Sequence, residues 1–374
     1  MRISQFIEQY VGPMVRLPIA GLDISDVSVK YLAFDPKIKK GVHGLAASGE
    51  FSVPEGIIVK GEIQKEKEDE LSRIFSEWRA GEKRIPRSSF FVVSLPEEKS
   101  FLRVIQLPQM KEEEVEHAIR WEIEANIPLA FDELIYDYEI IVPPDRAKQT
   151  DHLDVAVTAF PKSLIEGYVR VLHRAGLSLA ALELESQAIT RSVVPDFADN
   201  ISRIIVDIGR TRTSFIVCVG GAIVFTTTIE LGGQLFEEHL AKAFHISPQE
   251  ARLIKIETGL NRKERNGAVF DALLPIMAVL GDELKRVVAY YSHHAEHMHG
   301  ASDAVQSIML VGGDASLFGL ETYLSQAVRL PVRLADPLVA AYPRHLFAVP
   351  PLRRNESLAF ATTIGLALRS LRTS

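Results

Sequence analysis

Residues Arg203 to Leu240 read RIIVDIGRTRTSFIVCVGGAIVFTTTIELGGQLFEEHL. The stretch opens on an apolar β-branched run, Ile204-Ile205-Val206, which ends in Asp207 and, two residues on, Gly209. Small hydroxyls follow at Thr211, Thr213 and Ser214. A second β-rich run, Phe215 to Val219, meets a Gly220-Gly221 turn, and a third spans Ala222 to Ile229. β-Branched runs joined by glycine turns are hairpin chemistry. Gly232-Gly233 then leads into Leu235, Phe236, His239 and Leu240, the spacing of one helix face. A strand that ends in an acid beside a glycine–hydroxyl turn can hold an anion on backbone N–H groups, with the carboxylate turned to a metal ion. Taken alone, the stretch is equally well an ordinary hairpin.

A second copy alters that balance. Residues Gly21 to Phe34 read GLDISDVSVKYLAF, and Leu22-Asp23-Ile24-Ser25 lies on Val206-Asp207-Ile208-Gly209. Both continue into β-rich runs, Val27 to Phe34 and Phe215 to Val219. Two half-length units that each open on an acid-bearing hairpin predict two related lobes facing each other across a cleft. A third element completes the cleft: Ile308-Met309-Leu310-Val311, then Gly312-Gly313, then a helix from about Leu317 to Val328. Such a strand–Gly-Gly–helix join brings a ligand close to the backbone at a helix N-terminus.

Acid hairpin, acid hairpin and strand–Gly-Gly–helix, in that order, resemble the phosphate-1, phosphate-2 and adenosine motifs of the actin-like ATPase superfamily. That superfamily also contains sugar kinases and the large heat-shock chaperones. Within it the chain is most similar to the PilM family, cytoplasmic actin-like proteins of type IV pilus assembly, and next to FtsA of cell division. The likeness runs from about Gly21 to Leu368. Its most specific piece is Leu107 to Ile141, LPQMKEEEVEHAIRWEIEANIPLAFDELIYDYEII. This is similar to the small inserted subdomain of PilM, with its Trp-Glu helix, Ile-Pro turn and Tyr-Asp-Tyr strand.

The resemblance implies an α/β, actin-like ATPase (ribonuclease H-like) fold: two duplicated lobes around a nucleotide cleft, with a small inserted subdomain in the first lobe. The expected divisions are an N-terminal helix (1–17), a first lobe (18–200) with its insert (about 101–150), a second lobe (201–350), and a strand–helix (351–374) returning to the first lobe. The implied cofactors are ATP and Mg²⁺, the metal held through water by Asp23 and Asp207. Nucleotide contacts fall on Asp23, Ser25, Ser28, Lys30, Gly209, Thr211, Gly232, Gly233, Gly312 and Gly313, with Glu283 and Arg286 beside the base. The crossover LAALELESQAITRSV, beginning at Leu179, places an acid near the metal-bound water; Glu185 is the better placed and Glu183 the second, so Glu185 and Asp207 are the catalytic candidates. The implied partner is the N-terminal cytoplasmic peptide of a PilN-like inner-membrane protein, received in a groove between the insert and the first lobe. Other pilus assembly components would join it at the inner face of the cytoplasmic membrane, and a homo-oligomer stays open. Two related readings are an FtsA-like filament former and a small-molecule kinase. For the kinase, no aspartate is identifiable as the base.

The chain departs from the motif pattern at three places. Ser25 stands where the phosphate-1 turn usually has glycine, and its Cβ restricts positive φ. Asp26 follows; pointed at phosphates it would oppose binding unless Mg²⁺ or Lys30 offsets it. Asp314 stands where a third glycine is common. Arg210 and Arg212 in the second turn either compensate as cations or face solvent.

Composition excludes several classes. At 374 residues with 47% hydrophobic content the chain can bury more than one core. Its 42 Lys and Arg against 49 Asp and Glu give a charge of −7, which argues against nucleic-acid binding. A single cysteine, Cys218, rules out an internal disulfide framework. No apolar run has the length to cross a bilayer and no signal peptide is evident, so a cytoplasmic protein is expected. Ile3, Phe6, Ile7, Tyr10, Val11, Met14 and Val15 form one face of an N-terminal helix that packs on its own domain, docks a partner or lies on a membrane surface. Leu71, Ile74, Phe75 and Trp78 form the inner face of a helix within Gly61 to Arg79, and Val142 to Thr150 reads as a surface loop. His293, His294, His297 and His299 cluster at the end of a long helix from Asp271, where the helix dipole favours them without a metal.

Overall fold

A computed structural model describes residues 19–39, 42–141, 152–194, 201–219, 221–294, 304–346 and 348–369. The N-terminal helix, the Val142 to Thr150 loop, and His297 and His299 lie outside them. β1 (Ile19–Ile24), β2 (Ser28–Lys39) and β3 (Val42–Ser52) form an antiparallel meander. A short hairpin of β4 (Ile58–Val59) and β5 (Glu62–Ile63) turns through Lys60 and Gly61. α1 (Glu68–Gly81) buries Leu71 and Phe75 fully and Ile74 and Trp78 in part, as its apolar spacing requires. β6 (Phe90–Leu95) then runs parallel to β1.

β7 (Phe101–Pro108), α2 (Glu112–Asn126), β8 (Leu134–Ile141) and β9 (His152–Pro161) form a separate small unit. Its antiparallel sheet has the order β7-β9-β8, and Val115, Ile119 and Ile123 of α2 pack on Leu107, Leu134 and Val155. α3 (Lys162–Arg174) is stopped by Gly176, whose φ of 73° suits glycine at a helix end. β10 (Ser178–Leu184) completes the first sheet, in the order β10-β6-β1-β2-β3.

α4 (Glu185–Val193) crosses to the second lobe. There β11 (Ser202–Ile208), β12 (Thr213–Val219) and β13 (Ala222–Ile229) repeat the meander. α5 (Gly233–Phe244), α6 (Pro248–Thr258) and the long α7 (Ala268–His294) follow. β14 (Ser307–Val311), α8 (Leu320–Val328) and β15 (Val332–Leu334) add two parallel strands, giving the order β13-β12-β11-β14-β15. With β1 on β11, β6 on β14 and β10 on β15, the two sheets share one strand order and one set of strand senses.

The closing segment differs from expectation. Instead of a strand and a helix it forms two helices, α9 (Arg354–Ala359) and α10 (Ala361–Leu368). Arg353 N–H donates to Glu356 at 3.0 Å, satisfying one orphan donor at the start of α9. Every residue of α10 is buried, and an unbroken apolar run does not by itself separate strand from helix. α10 lies against β1 and against α4, where Gly365 meets the Ala188 carbonyl so closely that no Cβ fits. α4 in turn shares one core with Val92 and Leu366 and another with Ile205 and Ile216, so the two lobes meet on this helix pair. Among the described residues, no helix is long and apolar enough to cross a membrane.

Candidate functional site

β1 and β11 each end one residue after an aspartate. Asp23 pairs in register with Lys30 and Asp207 with Ser214. Asp23 accepts a hydrogen bond from the Ser94 hydroxyl at 2.9 Å, and the same hydroxyl accepts from Ile24 N–H at 3.0 Å, fixing the strand end. The β1–β2 turn closes on itself: Ser25 N–H and Ser25 hydroxyl both donate to the Ser28 carbonyl at 2.9 Å, and Ser28 N–H donates to the Ser25 hydroxyl at 3.2 Å. Ser25 does not have positive φ, so serine fits where glycine is usual.

In the second turn Gly209 N–H donates to the Arg212 carbonyl at 2.9 Å, with Thr211 between them. Gly233 N–H and Gln234 N–H, at the start of α5, donate to the carbonyls of Gly209 (3.0 Å) and Arg210 (2.8 Å). Gly232 and Gly233 therefore seat α5 on the turn, and a Cβ on Gly232 would strike the Arg210 carbonyl. Gly312 has φ +97° and lies against the Ile208 carbonyl and the Asp207 carboxylate, a position only glycine can take. Gly313 beside it is uncrowded. Asp314 turns inward above Gly233 to Lys255 at 2.6 Å, and Lys255 also meets Glu237 at 2.8 Å. No local pattern marks Lys255 or Glu237, whose roles appear only when α5 and α6 pack together.

Asp23, Asp207 and Glu185 are half-buried and converge, with Glu97 beneath them. Burial pushes the Asp207 carboxyl up to about 6, helped by the charge of Asp23 and opposed by Lys30. Burial likewise raises Asp23, against Lys30 and the Ser94 hydrogen bond. Glu185, the first residue of α4, is pushed well above the usual carboxylate range by burial and then by Asp23, Asp207 and Glu97. Glu97 rises through burial, although Ser186 N–H donates to it at 3.2 Å. The cleft is thus short of positive charge. Among the described residues no three His, Cys, Asp or Glu side chains converge to ligate a metal directly. A hydrated cation facing Asp23 and Asp207 fits that donor chemistry, and Mg²⁺ prefers to keep its waters.

Asp26 is held by partners of its own. Its carboxylate accepts from Lys60 N–H (3.2 Å) and Gly61 N–H (2.8 Å), and Arg212 approaches it at 3.5 Å. Arg212 also pairs with Glu98, so this arginine turns inward instead of toward solvent. Glu183 is buried in ion pairs with Arg191 and Arg369, which makes it structural and leaves Glu185 as the crossover acid in the cleft. Glu283 and Arg286 pair with each other along α7 at 2.7 Å, Arg286 being largely exposed. His293 bonds the Ala289 carbonyl within its own helix.

A cavity of about 450 Å³ lies between the insert and the second lobe. Phe101, Ile105, Ile123 and Val157 give it apolar walls, Glu122 an acidic one, and Thr226 to Thr228 of β13 close the far side. The cavity thus lies on the second-lobe side of the insert, whereas the expected groove lay between the insert and the first lobe. β7 and β13 are both edge strands, and they run beside each other.

A sequence profile of the family described as type IV pilus assembly protein PilM matches residues 21–371. The cell division protein FtsA of Neisseria meningitidis serogroup B (strain ATCC BAA-335 / MC58) is 24% identical over 191 residues, 46% of this chain and 45% of that protein; the chain thus spans about half that relative's length. Among solved structures, a PilM-PilN type IV pilus biogenesis complex superposes with TM-score 0.73 at 22% identity, covering 96% of this chain and 100% of that one. MreB5 of Spiroplasma citri bound to ADP superposes with TM-score 0.51 at 13% identity, covering 93% and 94%. The fold is that of the actin-like ATPases.

Proposed function

Because the chain belongs to the PilM family of type IV pilus assembly proteins, we propose that it is a scaffold of the pilus assembly machine, with ATP held between its lobes and a membrane partner's peptide held beside the insert. The observation that carries the nucleotide reading is the delivery of Asp23 and Asp207, from equivalent strand ends 184 residues apart, to one cleft with Glu185. A bound Mg²⁺ would supply the positive charge this cleft lacks. Asp23 and Asp207 would hold it through water, while the two turns and Gly313 border the phosphates and nucleoside. Burial, and then the charges of Asp23 and Asp207, favour the protonated form of Glu185, which can donate a hydrogen bond toward that site. With its neutral form favoured, Glu185 is a weak base toward an attacking water, so the nucleotide reads as a structural occupant, hydrolysed slowly.

The cavity beside β7 and β13 suits an extended segment. Two unpaired strand edges offer main-chain hydrogen bonds and the apolar walls take alternate side chains. A PilN-like N-terminal peptide fits that description and would place the protein at the inner face of the membrane through its partner. Equilibrium binding of a fluorescent ATP analogue with Mg²⁺ tests the first half. Saturable binding by the wild type and its loss in Asp207→Ala are expected; no binding by folded wild type would reduce the protein to a nucleotide-free adaptor. Calorimetric titration with a PilN-type peptide tests the second, where absence of heat and of any stability shift would sink it.

A further inference from the structure

Arg212 joins the two lobes by a contact that the nucleotide reading does not use. It leaves the second-lobe turn at the entrance to β12, and its side chain is only 15% exposed. Its guanidinium spans two first-lobe carboxylates, Asp26 at 3.5 Å and Glu98 in direct ion pairing. Neither acid is a loose surface group. Asp26 is tied to the backbone of the β4–β5 turn through Lys60 and Gly61 N–H. Glu98 sits in the turn between β6 and β7, at the root of the insert, and also borders the cavity. One guanidinium therefore holds the first acid hairpin, the β4–β5 turn and the base of the insert against the second lobe.

The need for such a contact follows from the cleft itself. Asp23 from the first lobe and Asp207 from the second carry like charge, so bringing the lobes together without a cation is opposed. Arg212 is the cation that comes from one lobe and is neutralised by the other. Its fork geometry suits two carboxylates at once, and at this depth solvent screens it weakly. A second interlobe pair, Lys60 with Glu230, is exposed on both sides and contributes little. We propose that Arg212 is a built-in clasp, which with Asp26 and Glu98 keeps the cleft closed when no nucleotide is bound.

The test measures lobe separation without nucleotide, so it succeeds or fails independently of ATP binding. Cys218, the one native cysteine, is buried in β12, which leaves introduced thiols at exposed Glu66→Cys and Lys263→Cys free for paired spin labels. In full-length protein stripped of nucleotide and metal, a single short interlobe distance is expected. Arg212→Gln should raise the open-to-closed ratio on the order of tenfold, the effect of losing a charged hydrogen-bonded pair. Arg212→Lys should restore part of the closed population, and Lys60→Gln should leave the distance unchanged. Glu98→Gln, which keeps the side-chain volume, should also open the cleft and serves if Arg212→Gln fails to fold. A wild type already broad without nucleotide, or variants at Arg212 and Glu98 with the wild-type distance, would overturn the clasp.

Discussion

Replacing Asp207 with Asn should stabilise the nucleotide-free protein at neutral pH. Its carboxyl titrates near 6 instead of 3.8, first because burial disfavours the charge and second because Asp23 faces it. Between those two values the folded protein keeps a proton that the unfolded chain has released. Stability therefore falls as pH rises through that window. Below 3.8 both states are protonated and the residue costs nothing; above the folded value the whole penalty, about 3 kcal/mol, is present. Asn keeps the size and hydrogen-bonding capacity without the charge. Some of the gain is redistributed, because Asp207 is one reason Glu185 stays protonated, and its removal eases the ionisation of Glu185. The net expectation is a gain of about 1–3 kcal/mol near neutral pH, shrinking as the pH falls and gone only below 3.8. Urea unfolding of both proteins at a neutral and a mildly acidic pH measures it. A variant less stable than wild type at neutral pH, or one whose gain is the same at both, would refute the electrostatic account. The same variant should lose the stabilisation that Mg²⁺-ATP gives the wild type, so that the residue weakens the empty fold and strengthens the occupied one.

Lys255→Met should cost about 2–3 kcal/mol by thermal unfolding, since it leaves the buried Glu237 with Arg210 alone at 3.4 Å and the part-buried Asp314 without its lysine; a loss under about 1 kcal/mol would mean that Arg210 and water suffice. Glu82 titrates near 2 instead of 4.5, mainly through its hydrogen bonds with Arg84 and then Tyr31. Its folded value is depressed, so its contribution is present above 4.5 and is lost as pH falls toward 2. With Arg84 half exposed, Glu82→Gln should cost about 2 kcal/mol near neutrality and progressively less in acid, read by urea unfolding across that range. Sedimentation with Mg²⁺-ATP should leave the protein in the supernatant, and pelleted polymer would favour the FtsA-like filament reading.

The fold was legible where its determinants are local. Asp23 and Asp207 are each fixed by a β-branched run and a turn within a dozen residues, so their equivalence could be read by laying one stretch on the other. α1 followed from the spacing of Leu71, Phe75 and Trp78. The end of the chain is not legible as helix because Ala361 to Leu368 is buried on every side, and a fully buried segment has no polar face to reveal its period. The exposure of one wall of the cavity was also unreadable. Thr226 to Thr228 announce a strand, and nothing nearby states that the strand is an edge or which subdomain it faces.

The site was half legible for a reason that bears on the three departures from the motif pattern. Asp26, judged within its own hairpin, is a negative charge where phosphates are expected. Its partners lie in the β4–β5 turn and, 186 residues along the chain, at Arg212. Asp314, judged against a run of glycines, is an intruding side chain, yet Lys255 on α6 claims it and the absence of a Cβ at Gly233 gives it room. Ser25 closes its own turn with its hydroxyl and needs no positive φ. For Asp26 and Asp314 the residue that seems to damage a motif is matched by one supplied from elsewhere in the fold, and Ser25 is matched within its own turn. Substitutions of this kind damage the cleft only if their partners are absent. Asp26 and Arg212 should therefore be more costly to lose singly than together, which an Asp26→Asn, Arg212→Gln double-mutant cycle on unfolding free energy measures directly; strict additivity would dissolve the pairing.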